Sequence, residues 1–153
     1  IGSYRVGDDR NKGSYVSKII KKFQNIGGQA QFHGFKNQDF VQKKMKSASI
    51  IVIPSIWEEP YGLVAAEAMS NGIAIITSDI GGITEIVKEN GILIKSINRL
   101  KLQDELERLM INSSKIKSLQ KLSWNNFEHS SKKSSKKLDN YRERIISSYF
   151  ADH

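Results

Sequence analysis

Two short apolar runs constrain the fold of this chain more than any other feature. Ile50–Ile53 and Ile73–Thr77 are built almost entirely from Ile, Val and Ala, and neither run alternates with polar residues. A strand with one face in water usually alternates apolar and polar residues, whereas a continuous apolar run is typical of a strand covered on both faces. Such strands occur mainly in parallel sheets, whose connecting helices pack on both faces. We therefore predict a parallel sheet in an α/β domain.

Helical segments alternate with the predicted strands along most of the chain. Further strands are predicted over residues 29–33 and 92–94, and helices over residues 14–23, 37–48, 62–71, 83–87, 99–111 and 115–122. This alternation predicts a Rossmann-like, doubly wound parallel sheet with helices on both faces. Residues 123–153 are polar and basic, and they predict a helical C-terminal extension.

The composition is that of a globular protein and excludes several classes of site. The chain has 153 residues, of which 39% are apolar and 26% charged, so one domain with a real core is expected. The absence of Cys excludes disulfides, thiolate nucleophiles and thiolate metal ligands, and it favours the cytoplasm. No stretch is apolar enough to cross a bilayer. Since the chain begins at Ile1 without an initiator Met, we expect it to be part of a longer protein.

The net charge of +8 is distributed unevenly along the chain. Residues 1–49 hold 10 Lys or Arg and 3 Asp or Glu, residues 50–100 hold 3 and 6, and residues 101–153 hold 11 and 7. The acidic middle block is therefore the first place to look for chemistry. The basic flanks suit anionic partners such as phosphates or lipid headgroups.

The connection that follows the first strand has the features of a phosphate site. A helix is expected to begin near Gly62, pointing its N-terminal end at the crevice beyond the carboxyl ends of the strands. The first backbone N–H groups of that helix, from Tyr61 to Val64, lack intrahelical acceptors and favour an anion. Gly62 is expected to let the anion approach closely.

Two glutamates flank this predicted helix start. Glu59 precedes the helix, and Glu67 lies in its second turn, among residues expected to pack on the sheet: Leu63, Val64, Ala66 and Ala68. A carboxylate close to apolar packing needs hydrogen-bond partners, which ribose hydroxyls would supply. Alternatively, Glu67 emerges at the helix edge and Glu59 only stabilises the helix N-terminus, by about 0.3–1 kcal/mol. From these two residues alone the second interpretation is favoured.

The whole stretch Glu59-Pro60-Tyr61-Gly62-Leu63-Val64-Ala65-Ala66-Glu67 resembles the C-terminal, donor-binding domain of the family 4 retaining glycosyltransferases, which have the two-domain GT-B architecture. Further matching pieces are Phe32–Phe35, residues 49–55 and 72–78, Gly81–Val87 and Ser123-Trp124. The resemblance implies that residues 1–153 form one half of a GT-B fold, with the acceptor domain absent from this chain. The family's first strand, and the Arg- and Lys-bearing loop after it, are not found; Arg10–Gly13 imitates that loop but lies too close to His33.

The resemblance also implies roles for individual residues. Glu59 would contact the transferred sugar at the reacting centre, and Glu67 would bind the ribose hydroxyls. Tyr61, Gly62, Leu63 and Val64 would face the diphosphate or the sugar, and Lys36 would border the base. Such enzymes are similar in needing no metal or other cofactor, because helix ends and basic side chains neutralise the leaving diphosphate. A UDP- or GDP-hexose is therefore the expected substrate.

The implied activity is hexosyl transfer, with retention, to a glycan or a lipid-linked acceptor, by an enzyme in the cytoplasm or at the inner face of the membrane. We expect this chain alone not to catalyse transfer. Two alternatives stay open: a sugar-nucleotide epimerase or phosphorylase on the same fold, and a non-enzymatic basic module that binds anions or membranes.

Three further features allow more than one interpretation. His33 has no second His nearby and is expected to be structural rather than a metal ligand. Trp57 either lines the sugar pocket or covers the loop. The basic run Ser130–Lys137 is expected to be a solvated helix face, with a peripheral grip on anionic lipid as the alternative. Nucleic acid is not expected as a partner, because no binding signature accompanies the basic charge.

Overall fold

The structure is a computed structural model, and it describes Lys21, Gln31 and residues 33–128 and 130–151. The predicted helix over residues 14–23 lies outside the described residues except for Lys21, which is helical. The predicted strand over residues 29–33 also lies mostly outside them, and neither Gln31 nor His33 is in a strand. The chain forms two compact units, Ile1–Lys44 and Met45–His153.

The first described helix, α1 (Gln38–Lys46), begins where its capping residue predicts. Asn37 accepts a hydrogen bond from the backbone N–H of Phe40 through Oδ1, at 3.1 Å. This side chain satisfies one of the N–H groups that every helix leaves without a partner in its first turn. Met45 on this helix is buried.

The sheet is parallel, as the two apolar runs predict. Among the described residues it contains β1 (Ile50–Ile53), β2 (Ala74–Ser78) and β3 (Ile92–Ile94), in the order β1-β2-β3. All five residues of the central strand β2 are buried. Residues of β1 are only half-buried, which corrects the prediction of full cover. Of the described strands, β1 pairs with β2 alone.

Helices connect the strands and cover both faces of the sheet. They are α2 (Leu63–Ser70), α3 (Gly81–Val87) with a 3-10 turn over Lys88–Asn90, α4 (Arg99–Met110), α5 (Ser113–Asn125) and α6 (Ser131–Ala151). On one face, Ala74 and Ile76 of β2 pack with Leu109 of α4 and Leu119 of α5. Successive strand side chains point to opposite faces, so Ile75 points to the other face, where α2 and α3 contact β2. The doubly wound arrangement is thus confirmed.

The C-terminal extension is the helix α6, and its basic first half is exposed to solvent, as predicted. Lys137 donates a hydrogen bond to Glu128 just before the helix, at 2.7 Å, and this ammonium holds the pKa of the Glu128 carboxyl below its ordinary value. Large apolar side chains also stay exposed along α6, at Leu138, Tyr141, Ile145, Ile146 and Tyr149. Within the described ranges, no helix is both long and apolar enough to cross a membrane.

The central strand should carry most of the core stability. We expect Ile76→Ala to lower the free energy of unfolding by about 2–5 kcal/mol, because it leaves a cavity beside α4 and α5. Ile145→Ala is the matched control, since Ile145 is 68% exposed on α6 whereas Ile76 is 0% exposed. Its effect should stay within about 0.5 kcal/mol. Urea denaturation followed by circular dichroism measures both values, and similar losses in the two variants would contradict this core.

Candidate functional site

The carboxyl ends of the three strands lie at one edge of the sheet, because the strands are parallel. From this edge β1 leads through residues 54–62 into α2, β2 leads directly into α3, and β3 leads into α4. The N-terminal ends of three helices therefore gather at the same edge. Open α/β sheets bind their ligands at this position.

Hydrogen bonds anchor the loop between β1 and α2 and orient Glu59 within it. The Ser55 hydroxyl donates to Glu59 Oε1 at 2.8 Å, and the Glu59 N–H donates to the Trp57 carbonyl at 2.9 Å. The Glu59 carboxylate is half-buried, and within the described residues its Oε2 accepts no hydrogen bond. Ser55 thus positions the carboxylate and leaves one oxygen for a ligand. No role was predicted for Ser55, although its position four residues before Glu59 is visible in the sequence.

A pair of glycines joins α3 to this loop. The Gly82 N–H donates to the Glu59 carbonyl at 2.7 Å. A Cβ at Gly82 would overlap the Pro60 carbonyl oxygen, and a Cβ at Gly81 would lie 2.8 Å from the Glu59 carbonyl oxygen. Any side chain at these positions would therefore push the loop away from α3. The loop before α2 and the start of α3, which precede and follow β2 in the sequence, thus pack directly against each other.

The N-terminus of α2 offers the unpaired N–H groups that the sequence predicts. The first intrahelical bonds are donated by Ala65 and Ala66, both to the Gly62 carbonyl, at 3.0 and 3.3 Å. The N–H groups of Leu63 and Val64 precede these bonds and have no intrahelical acceptor. They carry the partial positive charge of the helix N-terminus and can donate to an anion.

Gly62 itself also has a structural role. Its φ is 70°, a left-handed conformation that favours glycine, and a Cβ here would lie 2.5 Å from Ile83 Cγ1. The space beside its Cα is therefore filled by α3. The glycine thus allows the turn and the close packing of α3, and the approach of an anion to its backbone stays a prediction.

Two apolar residues at the start of α2 do not pack on the sheet, contrary to prediction. Leu63 is 68% exposed and Val64 is 45% exposed. The helix is only eight residues long and buries its alanine-rich face, where Ala65, Ala66, Ala68 and Met69 lie. Leu63 and Val64 thus form an exposed first turn of the helix.

Glu67 emerges on the open face of α2. Residues four apart share one face of a helix, so Glu67 lies below Leu63, about 6 Å further along the axis. Its side chain is half-buried, and its carbonyl accepts hydrogen bonds from Ser70 Oγ and Asn71 Nδ2, both at 2.8 Å. Its role as a ligand of the ribose hydroxyls stays a prediction. The chain thus presents Glu59, then the amides of Leu63 and Val64, which have no intrahelical acceptor, and then Glu67.

The remaining predicted residues have separate surroundings. The Tyr61 and Trp57 side chains are both exposed on the loop. Lys36 belongs to the first unit, where its ammonium lies 5.5 Å from the centroid of the Phe40 ring, and its place beside the base stays a prediction. His33 packs edge-on against the same ring at 5.1 Å, which suits a structural role. Among described residues, no three potential ligands group into a metal site.

Residues 6–129 match a family model that is described as glycosyl transferases group 1. An uncharacterized glycosyltransferase of Methanocaldococcus jannaschii is 37% identical over 106 residues, which cover 62% of this chain and 27% of that protein. The lipopolysaccharide 1,2-N-acetylglucosaminetransferase of Salmonella typhimurium is 28% identical over 127 residues, covering 75% of this chain and 33% of that enzyme. The chain therefore spans a third or less of these relatives.

Solved structures with the GT-B architecture have the same fold. Anabaena HepE in complex with UDP-glucose superposes with a TM-score of 0.61 at 22% identity, covering 76% of this chain and 34% of that one. Sucrose-phosphate synthase from Thermosynechococcus elongatus superposes with a TM-score of 0.67 at 24% identity, covering 86% and 34%. At these identities the likeness establishes the fold.

The contact between α3 and the loop can be tested by adding one methyl group. We expect Gly82→Ala to lower the free energy of unfolding by about 1–3 kcal/mol, because its Cβ overlaps the Pro60 carbonyl. Ser134→Ala, on the exposed face of α6, is the control and should change it by less than about 0.5 kcal/mol. Urea denaturation measures both. If Gly82→Ala matched the control, the close approach described here would be refuted.

Proposed function

This chain belongs to the glycosyl transferases group 1 family, and from that premise we propose that it is the donor-binding half of a family 4 retaining glycosyltransferase. The complete enzyme would transfer a hexosyl group from a nucleotide-sugar to a glycan or a lipid-linked acceptor. The observation that carries the proposal is the succession of a positioned carboxylate, two free amides and a second carboxylate between Glu59 and Glu67.

Each of these groups suits a different part of a nucleotide-sugar. The amides of Leu63 and Val64 lie at the positive end of α2 and would bind the diphosphate. Glu67 lies one helical turn further and would accept hydrogen bonds from the two ribose hydroxyls. Glu59 lies on the other side of the amides, where its carboxylate would accept hydrogen bonds from hydroxyls of the sugar. Tyr61 and Gly62 lie between these groups and would shape the diphosphate end of the site, and Lys36 would border the base.

The same groups suggest how the chain assists transfer. The bond between the sugar C1 and the phosphate oxygen breaks, and the acceptor hydroxyl oxygen bonds to C1 on the same face, which retains configuration. The acceptor proton passes to the leaving phosphate. Negative charge grows on that phosphate, and preoriented amides at a helix N-terminus stabilise it without reorganising. Glu59 holds the sugar and need not form a covalent bond, and no metal or other cofactor is required.

The rest of the proposed enzyme lies in the part of the relatives that this chain does not match. We propose that an N-terminal domain there binds the acceptor, and that the enzyme acts in the cytoplasm or at the inner face of the membrane. The exposed lysines at the start of α6, Lys132, Lys133, Lys136 and Lys137, would suit anionic headgroups. The fold also superposes on a solved complex with UDP-glucose, which favours a UDP-sugar as the donor.

Transfer is favoured over the two alternative functions. The family model and both relatives described above are glycosyltransferases by name. An epimerase or phosphorylase would need further acid–base groups or a cofactor lysine beside the sugar. A basic anion-binding module would leave the arrangement of Ser55 and Glu59 without a role.

Removing the charge of Glu67 tests the assignment. We expect Glu67→Gln to weaken binding of a UDP- or GDP-sugar at least about tenfold, because hydrogen bonds to a charged acceptor contribute about 1.5–3 kcal/mol. Glu143→Gln on the exposed face of α6 is the matched control and should bind like the unmodified chain. Isothermal titration calorimetry with UDP, UDP-glucose and GDP-mannose gives the affinities. Failure of the unmodified chain to bind any of them, or equal affinities in the two variants, would refute the proposed function.

A further inference from the structure

The tip of the loop between β1 and α2 exposes two large apolar side chains. Trp57 is 74% exposed and Ile56 is 70% exposed. Within the described part of the chain, the Trp57 indole makes no hydrogen bond and no ring contact. Trp is enriched at binding surfaces, where its large ring supplies much of the contact area.

Hydrogen bonds anchor the backbone of Trp57, although its side chain is exposed. The Trp57 carbonyl accepts the Glu59 N–H at 2.9 Å, and the Ser55 hydroxyl lies 3.5 Å from the same carbonyl. One residue beyond Trp57, the Cα of Glu58 lies 3.0 Å from where a Gly81 Cβ would stand, so α3 supports the loop from behind. An aromatic group on an anchored backbone loses little conformational freedom when a ligand covers it.

From Trp57 to Val64 the exposed groups change from apolar to acidic and then to hydrogen-bond donors. The indole comes first, the carboxylates of Glu58 and Glu59 follow, and the free amides of Leu63 and Val64 come last. Carboxylates repel a diphosphate but accept hydrogen bonds from neutral hydroxyls, whereas the amides attract a diphosphate. A ligand that is neutral and hydroxylated at one end and anionic at the other would therefore lie with its hydroxylated end toward Trp57.

We propose that Trp57 is the platform on which the pyranose ring of the donor sugar stacks. A pyranose has an apolar face of C–H groups that fits the flat indole, while its hydroxyls project sideways toward the carboxylates of Glu58 and Glu59. Trp57 is thus a determinant of sugar specificity, and it separates recognition of the sugar from recognition of the nucleotide. This inference rests on the proposed function and adds the residue that selects for a sugar over the bare nucleotide.

Fluorescence can test the stacking directly, because the chain has only two tryptophans. Trp124 lies on α5, where it is 65% exposed, and Trp124→Phe leaves Trp57 as the single reporter. We expect UDP-glucose to shift and change the intensity of the Trp57 emission, and UDP at the same saturation to leave the emission nearly unchanged. Equal responses to the two ligands, or no response to saturating UDP-glucose, would overturn the proposal.

Calorimetry on the otherwise unmodified chain gives a second, independent readout. We expect Trp57→Ala to reduce the preference for UDP-glucose over UDP by about tenfold and to leave UDP affinity unchanged. Trp57→Phe, which keeps a ring, should restore most of the preference. Ile56→Ala is the matched control on the same loop, and it should keep the preference because its side chain offers no flat ring.

These outcomes separate the inference from the function on which it rests. If Trp57→Ala binds UDP normally and also keeps its preference for UDP-glucose, the stacking proposal is wrong and the donor-binding function stands. If Trp57→Ala weakens UDP and UDP-glucose equally, Trp57 supports the loop as a whole and the stacking proposal is again wrong. If the unmodified chain binds neither UDP nor UDP-glucose, both proposals fail together.

Discussion

The contact between the backbone of α3 and the loop after β1 is the constraint on which the candidate site depends. The Gly82 N–H donates to the Glu59 carbonyl at 2.7 Å, and no Cβ fits at Gly81 or Gly82 without displacing the loop. Because α3 follows the buried strand β2, this contact ties the loop to the most deeply buried strand of the described sheet. Packing of the core therefore fixes the position of the loop that carries the Glu59 carboxylate.

Much of the fold follows from sequence patterns that act locally. The apolar runs predicted two strands because a fully covered strand has no solvent face to make polar, and Asn37 predicted a helix start because its side chain caps the first turn. The incomplete cover of β1 could not be predicted, since burial of a strand depends on which elements lie beside it. Local sequence does not contain that information.

The candidate site was predicted less completely than the fold. The start of α2 beside Gly62 was predicted correctly, because local sequence is enough to place it, whereas the roles of Glu59 and Glu67 stay predictions. The exposure of Leu63 and the packing of Gly62 against Ile83 were not predicted, because both depend on how α2 and α3 meet. The hydrogen bond between Ser55 and Glu59 depends on side-chain rotamers within an irregular loop, which spacing alone does not determine.

In the loop between β1 and α2, the residues with exposed side chains differ from the residues whose hydrogen bonds hold the loop. Ile56, Trp57 and Glu58 project their side chains into solvent, whereas Ser55 and the Glu59 backbone carry the hydrogen bonds that hold the loop. Replacements at the three outer positions would leave the scaffold intact while altering the surface that, under the proposed function, faces the donor sugar. If the proposed function holds, substitutions at the tip can change the sugar preference while the amides that bind the diphosphate stay in place.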